Sequence, residues 1–454
     1  MGFGDLVLFY VVTTFSLRWI ATAAAAGPSA ILIWVIACIA FFIPLAFCVL
    51  ELSSRYPEEG GLYVWTKRAF GEGAGFLTGW MYWGANVPYF PGLLYFAAGN
   101  ALFIGGARWQ SLSTNSTYFI VAALAGLTLS YVLNLVGLDV GKWLHNIGAI
   151  ASWTPPLVLI AMGLVAWRLY GSATEFSLAT IRPSTGLKDV IFWSTIAFAF
   201  GGVESASFMG EEIQDARRNI PRALVAAGIS MTAIYIVATT CILIALPQSE
   251  VTGLQGFMQA ISKVAERVGI GSIVPLMALI VTLSSIGGVG AWFAASSRIP
   301  FVVGLDRFLP AAYARLHPRW GTPHVALTTQ AVIAGIFIFL GQAGTTVRGA
   351  YEVLVSMGII TYFIPYLFMF AAMIKLQNEP AGPQVMRVPG GKATAILFSC
   401  LGLASTTIAI IIAAIPPDAE PNKPLAMAKI VGLNVLMIAI GGVFYLAKKR
   451  PGNV

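Results

Sequence analysis

Residues 191–222 read IFWSTIAFAFGGVESASFMGEEIQDARRNIPR. Ile191 to Phe200 form an apolar helical run, which the pair Gly201-Gly202 then interrupts. The chain resumes with a carboxylate, Glu204, in apolar surroundings. It leaves into a cluster of charges, Glu211, Glu212, Asp215, Arg217, Arg218 and Arg222. A helix inside a bilayer is broken only where protein or a water-filled cavity satisfies the freed backbone groups. Half-helices of this kind hold substrate in secondary transporters. The stretch therefore reads as one half of a binding site for a small polar solute.

The whole chain supports that setting. Of 454 residues, 58% are hydrophobic and 10% charged, against roughly 25% charged in soluble domains. An ordinary soluble enzyme is excluded, and an all-α polytopic membrane protein is expected. The net charge of +8 is not a nucleic-acid signal, because basic loop residues in such proteins set orientation. Cys38, Cys48, Cys241 and Cys400 have no pair spacing and read as small core residues. No metal cluster, cofactor motif or nucleophile constellation stands out, so neither an enzyme nor a cofactor is expected. A channel would show a continuous polar stripe or a ring of charge, and none is visible.

Twelve spans are expected, at about 5–27, 29–52, 72–105, 117–139, 142–169, 189–213, 222–246, 272–303, 322–341, 348–376, 393–415 and 425–447, each near or above the ~20 residues a bilayer needs. Residues 254–269 alternate apolar and charged positions at helical spacing and read as a surface helix lying over the spans. With a cytoplasmic N-terminus, most of the 27 Lys and Arg residues fall on the inner side. Both termini are then cytoplasmic, in the cell membrane. The first span is followed by Gly27-Pro28 and the sixth breaks at Gly201-Gly202, five spans later. An odd repeat length forces opposite orientations. The single transmembrane domain, 1–454, is thus expected to contain inverted repeats at about 5–169 and 189–376, with helices at 393–447 appended.

Three stretches carry a family resemblance. ELSSRYPEEGGLYVW, Glu51 to Trp65, is followed by Lys67-Arg68-Ala69-Phe70-Gly71. GVESAS, Gly202 to Ser207, is followed by EEIQDARRNIPRAL. The third is RIPFVVGLDRFLPAAYARLHPRWGTP, Arg298 to Pro323. Together they resemble the amino acid–polyamine–organocation transporters. The resemblance implies a LeuT-type fold, a 5+5 inverted repeat plus two helices, alternating access, and amino acids or their decarboxylated amines as substrates. Glu204 looks like the acidic residue of arginine/agmatine antiporters, which implies a part in pH-dependent transport with H+ as coupling ion. The stretch Arg18 to Pro44 is similar to glutamate/GABA antiporters, which keeps an acidic substrate open. A polyamine-specific transporter and a non-transporting sensor or partner subunit are the alternatives on the same fold.

Within that frame the residues divide by chemistry. Glu204 in mid-span requires a compensating role, either as partner of a substrate ammonium and proton-coupling group or as a cap on broken helix ends. Ala199, Phe200, Gly201, Gly202 and Val203 free backbone carbonyls, while Phe198 and Phe200 either flank a substrate or pack. The first span supplies Thr13, Thr14, Phe15 and Ser16. It lacks the glycine-rich break of relatives that bind α-carboxylates, so its hydroxyls either substitute for it or bond back to their own helix. Arg18 pairs with Glu204, meets an acidic substrate, or snorkels to the interface. Tyr82, Asn86 and Tyr89 form one helical stripe that lines a cavity or belongs to an aromatic belt. Ser284 and Ser285 resemble ion-binding hydroxyls of sodium-coupled relatives, or are packing residues. The loop pairs Glu211-Glu212 with Arg217-Arg218, and Arg55 with Glu58-Glu59, read as gate anchors or as solvated charges.

Overall fold

The computed structural model describes residues 2–58, 60–183, 187–205, 207, 213, 215–305, 308–416 and 421–449. Its elements are helical. The first span is split into α1, Phe3–Thr14, and α2, Leu17–Ala24. Then come α3, Ser29–Arg55, the short α4, Leu62–Phe70, α5, Glu72–Ile104, α6, Ser116–Val136, and α7, Leu138–Tyr170. The sixth span begins with α8, Leu187–Phe198, and stops there. The chain continues with α9, Ala216–Ala245, α10, Gly256–Arg267, α11, Val274–Leu305, α12, His324–Gln342, α13, Val347–Leu376, α14, Gly391–Ala413, and α15, Lys423–Lys448. Among the described residues ten helices are long and apolar enough to cross a membrane. The two expected spans missing from that set are the two broken ones.

Breaks and kinks find their partners in neighbouring helices. Pro44 has no N–H to give to the carbonyl of Ala40 one turn earlier, and a π-helical turn, Cys38–Phe42, lies just before it. The Ala40 oxygen instead accepts a 2.9 Å hydrogen bond from the Ser405 hydroxyl of α14. Beside this contact Cys48 meets Ser399 at 3.5 Å and the Phe47 and Phe398 rings lie 5.6 Å apart. The appended α14 is therefore fitted against α3. Cys400, expected in the core, instead faces outward.

The expected surface helix is α10. Its apolar face, with Phe257, Ile261 and Val264, is fully buried against protein, packed on α2, α7, α9 and α11. Asn100 donates to the Leu254 carbonyl at 3.0 Å and Gln255 to the Gly99 carbonyl at 3.0 Å, which fasten it to the end of α5.

At the opposite end of α3 a buried ion pair joins three elements. Glu51 accepts from Arg55 at 2.7 Å and 2.9 Å, from Gln377 at 2.7 Å and from the Val388 backbone N–H at 2.8 Å. Arg55 thus pairs within its own helix rather than with Glu58, and Glu59 lies outside the described residues. Glu211, Glu212 and the side chain of Arg217 also lie outside them. Nearby, Tyr56 donates to Glu379 at 2.9 Å and Arg68 approaches the same oxygen at 3.0 Å. The Tyr56 hydroxyl first, and then the Arg68 guanidinium, hold the Glu379 carboxyl below its ordinary range. A lowered carboxyl contributes stability above its ordinary range. It loses that contribution only as pH falls through the lowered value, so this contact survives mild acid.

Removing one member of the buried pair leaves the other uncompensated. Glu51→Ala is expected to destabilise the fold by about 3–5 kcal/mol, read as a lower unfolding midpoint in detergent. The double change Glu51→Met with Arg55→Met is expected to recover much of the loss.

Candidate functional site

The two breaks meet. At the first, Phe15 and Ser16 leave the helix, and Ser16 is extended at φ −141° and ψ 129°. Threonines at 13 and 14 weaken helix propensity, but no glycine or proline forces the break; tertiary contacts hold it. Tyr235 of α9 accepts the Ser16 N–H at 3.1 Å, and its hydroxyl lies 3.3 Å from the Thr14 carbonyl and 3.4 Å from that of Ala199. One phenol therefore serves orphan backbone groups of both breaks. At the second break, tight turns run through Phe200 and Gly201, whose N–H groups reach back to Ala197 and Phe198. Gly202 follows at φ +108°. A Cβ there would lie 2.6 Å from the Thr13 carbonyl oxygen, so glycine is required both by conformation and by the close approach of the first break.

Glu204 is completely buried. Its Oε1 accepts from the hydroxyls of Tyr82 and Tyr362, each at 2.5 Å. Its Oε2 accepts from the Tyr366 hydroxyl and, at 3.2 Å, from the Gly202 N–H. An ionised carboxylate offers about four lone-pair sites, and four donors fill them. Tyr82 stands on α5 and Tyr362 and Tyr366 on α13, so the carboxylate joins three spans. The pairing of Glu204 with Arg18 is not made.

Beside this cluster lies a cavity of about 30 Å³ walled by Thr13, Thr14, Trp19, Ala85, Asn86, Tyr89, Phe198, Gly201, Trp292 and Tyr362. Its walls come from both breaks and from the facing helices α5, α11 and α13. Phe198 stands edge-on to both Trp19 and Tyr362, at 5.3 Å in each case. Asn86 donates to the Tyr82 and Trp83 carbonyls at 3.3 and 3.2 Å. The Thr13 hydroxyl meets Ser205 at 3.0 Å. The Thr14 Oγ1 and Trp292 Nε1 atoms are buried in this wall without a hydrogen-bond partner among the described residues.

Other expected residues sit elsewhere. Phe15 stacks on Tyr235 at 4.9 Å. Phe200 packs on Trp34, Phe42 and Tyr235 and is not in the cavity wall. Arg18 lies behind the wall. Ser284 bonds to Ser152 of α7 at 2.9 Å, and Ser285 donates to the Val281 carbonyl in its own helix at 2.9 Å; neither lines the cavity. Sequence reasoning missed Tyr235, Trp292, Tyr362, Tyr366 and Trp19. The i, i+4 pair Tyr362 and Tyr366 flanking Pro365 on an apolar span was the one available signal, since two phenols on one face need polar partners.

The family model described as amino acid permease matches residues 1–443. The chain belongs to that family. It is 29% identical to an uncharacterized transporter of Legionella pneumophila, over 98% of this chain and 96% of the relative. A probable agmatine/putrescine antiporter of Lactococcus lactis is 22% identical over 96% of this chain and 92% of its own length. A glutamate/gamma-aminobutyrate antiporter of the same species is 21% identical over 83% and 76%. This permease is accordingly an all-α, multi-pass membrane transporter and not an enzyme.

Gly202→Ala is expected to abolish transport while the protein still reaches the membrane. The strained backbone alone costs about 1–3 kcal/mol, and the Thr13 carbonyl must retreat as well. Uptake by membrane vesicles, compared with the surface amount of protein, checks this.

Proposed function

We propose that this permease is a secondary active transporter of amino acids or related amines, working by alternating access across the cytoplasmic membrane. The observation that carries the reading is the meeting of two broken spans beside an aromatic-walled cavity, with Thr14 Oγ1 and Trp292 Nε1 in its wall unpartnered among the described residues. The breaks fall in the first and sixth spans, which supports inverted repeats at about 5–169 and 189–376. The excess of basic residues on one side supports cytoplasmic termini. Two relatives bear the name antiporter, which favours exchange over uniport.

Glu204 is the proposed proton-coupling group. Its ionised form accepts four hydrogen bonds. A proton on either oxygen converts one acceptor into a donor, so one tyrosine must turn its hydroxyl to accept, or the Gly202 N–H must release the carboxyl. Tyr82 and the pair Tyr362 and Tyr366 sit on different spans, so protonation changes how α5 and α13 are tied to the second break. Ser284 and Ser285 are engaged with protein groups, which favours the carboxylate over the hydroxyls for coupling.

Glu204→Gln keeps the shape and replaces one acceptor by a donor. In proteoliposome counterflow at mildly acidic and mildly alkaline pH, the variant is expected to lose the pH dependence that the wild type shows. An unchanged rate and pH profile would overturn this assignment.

A further inference from the structure

Arg18 lies just past the first break, in α2, and is 1% exposed. Its guanidinium carbon sits 4.0 Å from the Trp19 ring centre and 4.5 Å from that of Tyr89. One terminal nitrogen lies along α5 where Gly92 has no side chain; a Cβ there would approach it to 3.4 Å. The Nε atom has no hydrogen-bond partner among the described residues. Among the described residues no carboxylate forms an ion pair with the group.

This is a permanent cation inside the protein with no anion opposite it among the described residues. Buried charges are otherwise paired. Two ring faces offset part of its desolvation, but a ring face supplies neither a counter-charge nor an in-plane acceptor for the guanidinium fork. The same two rings, Trp19 and Tyr89, are walls of the cavity. When either turns aside, the guanidinium opens onto the site. The other polar features point the same way. The Ser16 N–H of the glycine-free break is already given to Tyr235, so this backbone donor is not open to a carboxylate. Glu204 is filled by its own four donors, so no free anion waits there for an amine.

From this geometry we infer that Arg18 is the carboxylate receptor of the substrate site, and that the transported solute carries a carboxylate. Amines lacking one are poorer ligands of the site. The inference rests on the transport reading above and narrows its substrate class.

The experiment is competition in proteoliposome counterflow, using pairs of an amino acid and its decarboxylated amine: arginine with agmatine, ornithine with putrescine. The carboxylate-bearing member is expected to compete at least about tenfold better, a difference of about 1.4 kcal/mol. Arg18→Met is expected to bring that ratio close to one, and Arg18→Lys to retain a preference. Glutamate, glutamine and GABA then separate the two sources of the carboxylate. GABA matching glutamate places the side-chain carboxylate on Arg18, and glutamine matching glutamate places the α-carboxylate there. Should Arg18→Met fail to fold, protection of the wild type against heat by the acid member and not by its amine carries the inference alone. Amines that compete or protect equally overturn it and leave the transport reading intact, as does an Arg18→Met variant that keeps the ratio. Folded protein that exchanges and binds none of these solutes overturns both.

Discussion

The structure depends on a carboxylate, Glu204, that meets no cation among the described residues. Glu204 is held by three phenolic hydroxyls and one backbone N–H. Hydrogen bonds to a charged acceptor are stronger than neutral ones, and inside a low-dielectric interior an unfilled lone pair is costly. The arrangement therefore resists the loss of any one donor. It also fixes geometry, because the donors come from α5, α13 and the break that follows α8. These segments are far apart in sequence and meet at two oxygens.

The second constraint is the mutual dependence of the breaks. Phe15-Ser16 carries no glycine or proline to hold it open within a membrane span, and the turn at Gly201-Gly202, though marked locally, shares its support. Tyr235 supplies both, and Gly202 lets the Thr13 carbonyl approach. Aromatic packing reinforces the same phenol, since Trp34 stacks on it at 4.4 Å and donates its indole N–H to Thr239 at 3.1 Å. A mechanism that separates the two breaks must therefore give Tyr235 new partners. The core around it is aromatic, which allows rings to turn without exposing polar groups.

Much of this was legible in the sequence. Hydropathy located the ten uninterrupted spans, because length and apolarity are local properties. Gly201-Gly202 and the isolated Glu204 marked the second break for the same reason. Which hydroxyls would meet Glu204 was not legible, because Tyr362 and Tyr366 lie more than 150 residues away and nothing local assigns them. Phe198 and Phe200 are two residues apart, and only tertiary packing decides that the first faces the cavity and the second faces α3. The charge of Arg18 was visible, but its sandwich between Trp19 and Tyr89 depends on the approach of α5 at Gly92. Arg55 shows a different limit. The sequence offered Glu58 and Glu59 after it; the buried Glu51 a turn before it is its partner among the described residues.

The hydroxyl that Ser405 gives to Ala40 has a wider meaning. Pro44 leaves an open carbonyl on a helix of the first repeat, and the group that closes it comes from a helix outside both proposed repeats. Helix α14 therefore acts as a splint on α3.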